Sequence, residues 1–215
     1  MATALKKIQL LSTVVFAEFL PNVHFCILSA LNGLRNGIFL DSGAFNGELA
    51  SNSLPLEREY GWSGYLIEPI PDLYAQIVSK NRNVTSLNAC ISAEPRETLV
   101  SMISKGQQSR ITKQTRRDTV RVPCFKFTSI MSAFKLQSID YFSLDVEGAE
   151  LAVLKTIPFD LYNIKILSIE HLHSPGGKKP ITDYMLSKNY RLLDDIKFRD
   201  RSRGLFVQDL MFIKN

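Results

Sequence analysis

The sequence predicts an α/β fold, in which a mostly parallel sheet carries helices on both faces and ends in a C-terminal antiparallel hairpin. Short apolar runs alternate with amphipathic segments along the 215 residues, and this alternation indicates parallel strands joined by helical crossovers. Residues 38–40 (Ile-Phe-Leu) are apolar without interruption, as expected for a strand that is buried on both faces. Two strand-like runs close the chain, and the charged turn between them predicts the hairpin, which leaves one antiparallel strand in the sheet.

The elements follow in order along the chain. Five strand-like runs precede the closing pair, and the runs cover residues 37–41, 64–68, 84–91, 139–146, 164–172, 190–198 and 205–213. Helical patterns fall between them, at residues 47–60, 71–80, 148–156 and 180–188. Pro55 is expected to break or kink the first of these helices, whereas Pro71 and Pro180 stand at first turns, which tolerate proline.

The N-terminal segment, residues 1–30, allows two interpretations, and we expect one folded domain over residues 31–215. Basic residues precede an apolar stretch at residues 8–17, which is either a first helix packed over a sheet edge or a weak signal peptide. The stretch is short and interrupted by polar residues, so we favour the helix and leave the compartment open between cytoplasm and secretory pathway. No uncharged apolar run is long enough to predict a membrane-spanning helix. Residues 83–85 (Asn-Val-Thr) match the N-glycosylation sequon, a triplet that also arises by chance.

The net charge of +5 is concentrated in one segment. Residues 105–121 contain six Lys or Arg residues and one Asp, so this basic segment has a net charge of +5. The charges of the rest of the chain balance to zero. Such a segment is either a solvated loop, which we favour, or a site that meets an anionic partner. It contains no aromatic residue on which a base can stack, and this disfavours nucleic acid as the partner.

The overall composition excludes several classes of protein. Apolar residues make up 45% of the chain and charged residues 22%, which are ordinary values for a globular protein and exclude disordered and fibrous ones. The three cysteines, Cys26, Cys90 and Cys124, are too few and too scattered for a disulfide scaffold or a tetrahedral zinc site. We therefore expect three buried or idle thiols.

The end of the first strand carries the first chemical motif, residues 41–47 (Asp-Ser-Gly-Ala-Phe-Asn-Gly). Ligands of parallel sheets bind beyond the carboxyl ends of the strands, and Gly43 lets the chain turn tightly there. No P-loop motif and no Gly-x-Gly-x-x-Gly fingerprint is present. Asp41 instead repels a pyrophosphate and suits an ammonium group, and Glu68 at the end of the second strand suits the hydroxyls of a ribose. The free N–H groups at the start of the next helix suit an anionic end such as a carboxylate. A ligand with an ammonium, a carboxylate and a ribose is S-adenosylmethionine.

Four stretches then carry a family resemblance. They are residues 36–44 (Asn-Gly-Ile-Phe-Leu-Asp-Ser-Gly-Ala), 62–69 (Trp-Ser-Gly-Tyr-Leu-Ile-Glu-Pro), 88–90 (Asn-Ala-Cys) and 139–150 (Ile-Asp-Tyr-Phe-Ser-Leu-Asp-Val-Glu-Gly-Ala-Glu). On these residues the chain resembles the FkbM family of S-adenosylmethionine-dependent methyltransferases, and its spacing is similar to the animal, Star-like branch. The resemblance implies a seven-stranded Rossmann-like methyltransferase sheet and O-methylation of a hydroxyl on a small molecule or glycan.

The resemblance also implies roles for individual residues. Asp41 and the glycine loop border the methionine part of the cofactor, Glu68 holds the ribose, and Asn88 and Ala89 flank the adenine. Asp145 and Glu147 follow the fourth strand and lie beside the transferable methyl group. Ser42 and Phe45 depart from the family pattern, and the bulky Phe45 is expected to narrow the pocket. The predicted cofactor-binding residues are Asp41, Gly43, Ala44, Phe45, Asn46, Gly47, Glu68, Pro69, Asn88, Ala89 and Asp145.

An alcohol acceptor requires a base that takes its proton as the new bond forms. The predicted catalytic residues are Asp145, Glu147 and His171, and Glu170 and His173 are further candidates at the same rim. Acids at this position also serve as caps of the following helix. Carboxylate-rich sites take hard cations, but these residues are explained without one and no metal is predicted.

Two other functions compete with the methyltransferase at this point. The basic segment and the weak signal motivate a non-catalytic Star-like module that binds proteins or membranes in the secretory pathway. The basic segment also motivates, less strongly, a methyltransferase that acts on nucleic acid.

Overall fold

The computed structural model describes residues 23–103, 109–112, 119–200 and 205–215. The predicted N-terminal helix or signal, at residues 8–17, lies outside these ranges, as does much of the basic segment 105–121. The helices in the described ranges are α1 (Val23–Ala30), α2 (Leu54–Tyr60), α3 (Pro71–Ser79), α4 (Phe127–Ala133), α5 (Glu150–Thr156) and α6 (Lys178–Ser187). None of these described helices is long and apolar enough to cross a membrane.

The strands form two sheets. They are β1 (Ile38–Ser42), β2 (Ser63–Ile67), β3 (Val84–Leu87), β4 (Cys90–Ile91), β5 (Thr98–Ile103), β6 (Arg110–Thr112), β7 (Thr119–Phe125), β8 (Ser138–Leu144), β9 (Asn163–Glu170), β10 (Tyr190–Asp200) and β11 (Leu205–Lys214). The large sheet has seven strands in the order β10-β11-β9-β8-β1-β2-β3, and the small sheet has the order β4-β7-β5-β6.

The large sheet confirms the predicted fold class. Its strands run parallel except β11, which is antiparallel to both β10 and β9 and closes the sheet through the predicted hairpin. Side chains that alternate along a strand enter opposite faces. Leu40 of β1 packs with Phe142 of β8 in one apolar core, whereas Phe39 and Tyr141 pack in a second core on the other face. The two cores hold the central strands rigidly, and their carboxyl ends therefore form a firm rim.

The small sheet was not predicted. The apolar run at residues 84–91 reads as one strand, but the chain turns at Asn88 and Ala89 and divides it into β3, in the large sheet, and β4, in the small one. The side-chain amide of Asn88 donates to the backbone carbonyls of Glu68 and Pro69, at 2.8 and 3.0 Å, which ties the turn to the end of β2. An unbroken apolar run gives no sign of such a turn, so the single-strand prediction was wrong.

The predicted helices differ from the structure mainly at one place. α3, α5 and α6 confirm three of them to within a few residues, but the first is confined to Leu54–Tyr60. Pro55 occupies the first turn of α2, where a backbone N–H has no partner within the helix, so the proline costs no hydrogen bond. The seven residues before it, 47–53, form a loop, which the buried Arg82 side chain holds by hydrogen bonds. α1 and α4 were not predicted as separate helices.

The cysteine prediction was also wrong in part. Cys90 and Cys124 form a disulfide between β4 and β7, where the two residues are register partners with Cα atoms 4.4 Å apart. Both are buried in a small apolar core with Met102 and Val122. The two cysteines are 34 residues apart, and strand pairing alone brings them together, so spacing gave no sign of the bond. Cys26 is the free cysteine of the described chain.

Candidate functional site

A cavity opens at the carboxyl ends of β1, β2 and β8. Asp41, Glu68 and Asp145 come from the ends of these three strands, and the small sheet contributes a further wall through Met102 and Ile111. The predicted site residues that line the cavity are Asp41, Gly43, Ala44, Phe45, Glu68, Pro69, Asp145 and Glu147. The rim of a parallel sheet therefore gathers the acids that the sequence places at separate strand ends.

The loop after β1 bridges the neighbouring strands. The backbone N–H groups of Gly43 and Ala44 both donate to the carbonyl of Ile67, at 3.0 and 3.2 Å. Gly43 has φ +87°, and a Cβ atom there would lie 1.8 Å from the carbonyl oxygen of Asp145. Only glycine allows this approach of the β1 loop to the β8 loop, because the two backbones are in direct contact.

Three cavity residues other than glycine have left-handed backbone conformations, and one of them is Ala50, at φ 58°. Phe45 has φ 51° and Glu147 has φ 55°. Such conformations cost free energy in non-glycine residues and persist where surrounding contacts impose them. For Phe45 the contact is a hydrogen bond from its N–H to Oε2 of Glu68, at 2.9 Å. Phe45 lies in the cavity wall, and its narrowing of the pocket stays a prediction.

Glu68 is held on both sides. Its Oε2 accepts from Phe45, its Oε1 accepts from the N–H of Ile70 at 2.9 Å, and the residue is 4% exposed. Burial raises the pKa of Glu68 to about 7, and the nearby Asp41 charge adds to the shift while the two N–H groups oppose it. The carboxylate is thus fixed in orientation, and each oxygen keeps a lone pair for a ligand hydroxyl.

Asp41 is buried at the base of the cavity. Its Oδ2 accepts a hydrogen bond from Ser53 at 2.7 Å. Burial raises the pKa of Asp41, and the Ser53 hydrogen bond and the Arg82 charge oppose that shift. The Asp41 carboxyl has polar neighbours and is shielded from solvent. Such a buried carboxylate favours a cationic ligand group, because an unpaired buried charge is costly.

Arg82 organises this region and was missed by the sequence analysis. Its guanidinium contacts Oε2 of Glu57 at 2.7 Å, and the Arg82 side chain is 1% exposed. It also donates to the carbonyl of Gly47 and, at 3.3 Å, to the hydroxyls of Ser51 and Ser53. Arg82 thereby fixes the conformation of the 47–53 loop. Ser53, at the end of this loop, is held in position to donate its hydrogen bond to Asp41. A lone arginine in a polar turn reads as a solvated residue, so no sequence signal marked it.

A second group of acids lies on the β8 side. Carboxylate oxygens of Asp145, Glu150 and Glu170 come within 4.8 Å of one another. Oε1 of the fully buried Glu150 accepts from the N–H groups of Val146 and Gly148, and its Oε2 accepts from the hydroxyl of Ser174. Oxygens of this kind suit a hard cation, but those of Glu150 are already engaged in holding the loop after β8. We assign Glu150 to loop positioning, a role that sequence reasoning did not give it.

Asp145 and Asp209 complete the acidic lining. Asp145 lies open to the cavity. Its pKa is raised well above the ordinary value, first by desolvation of its carboxyl and then by the charges of Glu147, Asp209 and Glu170. Asp209, on β11, is buried, receives a hydrogen bond from Asn52 at 3.4 Å, and has a pKa raised by burial to about 7. Asp209 was missed, although an acid inside an apolar run is a readable signal.

The structure does not bring every predicted residue to the cavity. The residues that line it do not include Asn46, Gly47, Asn88 and Ala89. Asn46 caps the turn by accepting from the N–H groups of Glu48 and Leu49, at 3.1 and 2.8 Å. Their placement supports the loops that form the wall.

His171 and His173 have different acidic partners. The backbone of His171 pairs with Gln208 of β11, and its Nε2 lies 3.7 Å from Oδ1 of Asp195 on β10, so the structure places His171 outside the cavity lining. Its predicted catalytic role stays a prediction. His173 instead reaches the site indirectly, with Nδ1 2.8 Å from Oε2 of Glu147.

The buried acids predict an unusual pH dependence of stability. Burial raises the pKa of Glu68 and Asp209 to about 7 and that of Glu170 to about 8. The folded chain therefore binds more protons than the unfolded chain between about pH 4 and pH 8. We expect the free energy of unfolding of the ligand-free protein to fall by at least about 1 kcal/mol as pH rises from 5 to 8.

Urea denaturation at a series of pH values measures this slope, and Asp209→Asn is the matched variant. The variant removes one of the three groups, so its slope is expected to be shallower than that of the wild type. A stability that rises from pH 5 to 8 in the wild type contradicts the assignment of raised pKa values.

Comparisons with known proteins agree with this architecture. Residues 41–192 match the Methyltransferase FkbM domain, which is more than half of the chain. Magnesium protoporphyrin IX methyltransferase from Synechocystis PCC 6803, crystallised with bound SAM, has a TM-score of 0.52 at 12% identity, over 87% of this chain and 74% of its own. Precorrin-6y C5,15-methyltransferase from Geobacter metallireducens has a TM-score of 0.51 at 12% identity, over 90% of this chain and 88% of its own. No curated protein matches the chain. The cavity lies within the matched residues apart from Asp209, and the chain belongs to the FkbM methyltransferase domain family.

Proposed function

We propose that this protein is an S-adenosylmethionine-dependent methyltransferase that O-methylates a hydroxyl of a small molecule or glycan. The observation that carries the proposal is the set of three carboxylates at adjacent strand ends, Asp41, Glu68 and Asp145, around the Gly43 turn. These residues lie inside the stretch that matches the FkbM domain. The family resemblance implies the hydroxyl acceptor, and product formation tests it.

The charges around the cavity support this choice of cofactor. S-adenosylmethionine carries an ammonium and a sulfonium, and it supplies a methyl group that is already activated for transfer. The buried carboxyl of Asp41 suits the ammonium, and the doubly held carboxyl of Glu68 suits the paired hydroxyls of the ribose. Gly43, where a Cβ atom has no space, lets the loop after β1 approach the loop after β8 and so shapes the wall between Asp41 and Asp145.

Asp145 is our assignment for the proton acceptor. It lies open to the cavity, and desolvation and the neighbouring acids raise its pKa well above the ordinary value, which strengthens it as a base. A carboxylate oxygen of Asp145 would take the proton of the acceptor hydroxyl as the oxygen–carbon bond forms and the methyl–sulfur bond breaks, with S-adenosylhomocysteine as the leaving group. Glu147 lines the same cavity, and its contact with the partly exposed His173 offers a route for that proton to solvent.

The basic segment 105–121 bears on the acceptor. Ser109 and Ile111, in the described part of this segment, line the cavity. The cavity lining contributed by described residues is acidic and holds no cation, whereas the segment carries the whole excess positive charge of the sequence. An acceptor with a negative group would find its counter-charge in this segment and not in the described lining, so neutral and acidic sugars are both tested as acceptors.

Calorimetric titration with S-adenosylmethionine and S-adenosylhomocysteine tests the cofactor assignment. We expect micromolar binding of both by the wild type and at least tenfold weaker binding by Glu68→Gln, which loses the charge that receives the ribose hydroxyls. Glu94→Gln is the matched control, because Glu94 is an exposed acid that pairs with Arg96 outside the cavity. Equal affinity of Glu68→Gln and wild type contradicts the assignment.

Release of S-adenosylhomocysteine in the presence of neutral and acidic sugars tests the transfer. Asp145→Asn serves as the negative control for turnover once its cofactor binding has been measured. A folded wild-type protein that binds neither molecule overturns the proposal and favours the Star-like binding module.

A further inference from the structure

The glycosylation sequon lies on the surface in a form that an enzyme can reach. Asn83-Val84-Thr85 is the only Asn-x-Ser/Thr triplet of the sequence. Asn83 and Thr85 are both exposed, whereas Val84 between them packs against an apolar core. The backbone N–H of Asn83 donates to Oε1 of Glu57 at 2.9 Å, which fixes the start of the strand while the side chain faces outward. Alternation along the strand thus directs both recognised side chains to solvent.

The position of the sequon is compatible with the activity proposed above. Asn83 directly precedes β3, which is the edge strand of the large sheet and runs parallel to β2. The cavity lies at the carboxyl ends of the strands, whereas Asn83 lies at the amino end. A large group on Asn83 therefore projects from the opposite end of the sheet and leaves the cavity open.

The disulfide is an independent observation that points to the same compartment. Cys90 and Cys124 are paired across adjacent strands and are 8% and 2% exposed. Disulfides form and persist in oxidising compartments such as the lumen of the secretory pathway and are rare in the cytosol. N-linked glycans are also features of secreted proteins. One compartment thus accounts for two features that lie in different sheets.

We propose that Asn83 carries an N-linked glycan and that the chain matures in an oxidising secretory compartment. The side-chain nitrogen of Asn83 forms a bond to the anomeric carbon of an oligosaccharide pyrophosphate donor, the pyrophosphate leaves with the bonding electrons, and the amide loses one proton. The thiols of Cys90 and Cys124 lose two electrons and two protons to a disulfide oxidant and form their bond. This inference does not depend on the methyltransferase activity.

The experiment compares the full chain produced in animal cells behind a cleavable secretion leader with the same chain produced in the cytosol. We expect the secreted protein to gain mobility on treatment with peptide N-glycanase and its Asn83 to be converted to Asp, as read by peptide mass. Asn83→Gln and Thr85→Ala are expected to abolish this shift, and Thr85→Ser is expected to retain it. Asn81→Gln is the matched control, because Asn81 is exposed but belongs to no sequon.

Alkylation of the secreted protein before and after reduction tests the second half of the proposal. We expect Cys90 and Cys124 to be protected until reduction, and the cytosolic, reduced form to melt roughly 5 to 10 °C lower. The proposal is overturned if the secreted wild type is insensitive to the glycanase. Free thiols at Cys90 and Cys124 in the secreted protein, or equal melting temperatures of the two forms, overturn it as well.

Discussion

Gly43→Ala is expected to abolish detectable binding of S-adenosylmethionine and to lower the free energy of unfolding by about 3 to 5 kcal/mol. The added Cβ atom would lie 1.8 Å from the carbonyl oxygen of Asp145, which is backbone and has little freedom to move. The loop after β1 or the loop after β8 must therefore shift, and both carry residues of the cavity. Alanine also meets an unfavourable backbone conformation at φ +87°.

Gly33→Ala is the control that separates these two costs. Gly33 has φ +72°, a similar left-handed conformation, but no atom lies within 4 Å of the position of its added Cβ. We expect Gly33→Ala to cost only about 1 to 2 kcal/mol and to leave cofactor affinity unchanged. Urea denaturation and calorimetry measure both effects. Similar losses in the two variants would mean that backbone conformation, and not the contact with Asp145, accounts for the effect.

Arg82→Ala is expected to lower the free energy of unfolding by about 3 to 5 kcal/mol, because it leaves Glu57 without its cation in a nearly dry environment. The same change frees the 47–53 loop, which Arg82 holds through the Gly47 carbonyl and two serine hydroxyls. Ser53 then loses a fixed position beside Asp41. We therefore expect weaker cofactor binding as well as lower stability.

Arg58→Ala provides the comparison for a surface ion pair. Arg58 pairs with Glu48 at 2.9 Å, but 49% of its side chain is exposed, so its removal is expected to cost less than about 1 kcal/mol. Hydrogen exchange of the 47–53 amides gives a local readout. It should rise much more in Arg82→Ala than in Arg58→Ala, because Glu48 keeps its ion pair with Lys80 when Arg58 is removed. Equal stability of the two variants would show that Arg82 acts as an ordinary surface charge.

The large sheet was predictable because its signals are local. The central strands are buried on both faces, so residues such as Ile38 to Leu40 form unbroken apolar runs that stand out from their surroundings. The acids at strand ends were predictable for the same reason, since Asp41, Glu68 and Asp145 each directly follow or close such a run. The rule that parallel strands present their carboxyl ends at one rim then brings them together.

The small sheet was not predictable by the same reasoning. β5 and β7 mix exposed and buried positions, and β6 lies within the basic segment, which reads as a solvated loop. The turn at Asn88 is stabilised by the end of β2, a partner distant in sequence. Apolar periodicity carries no information about such partners, and strand propensity depends strongly on them.

The amino-acid order alone accounts for the fold class, the hairpin, the strand-end acids and the glycine turn, because each depends on the residues within a few positions of it. Long-range pairing in three dimensions accounts for the rest. It joins Cys90 to Cys124, places Arg82 against the 47–53 loop, adds Asp209 to the cavity and removes His171 from its lining. These outcomes depend on which strands and loops become neighbours, and the free energy of each buried charge or bond is set by the partner that packing supplies.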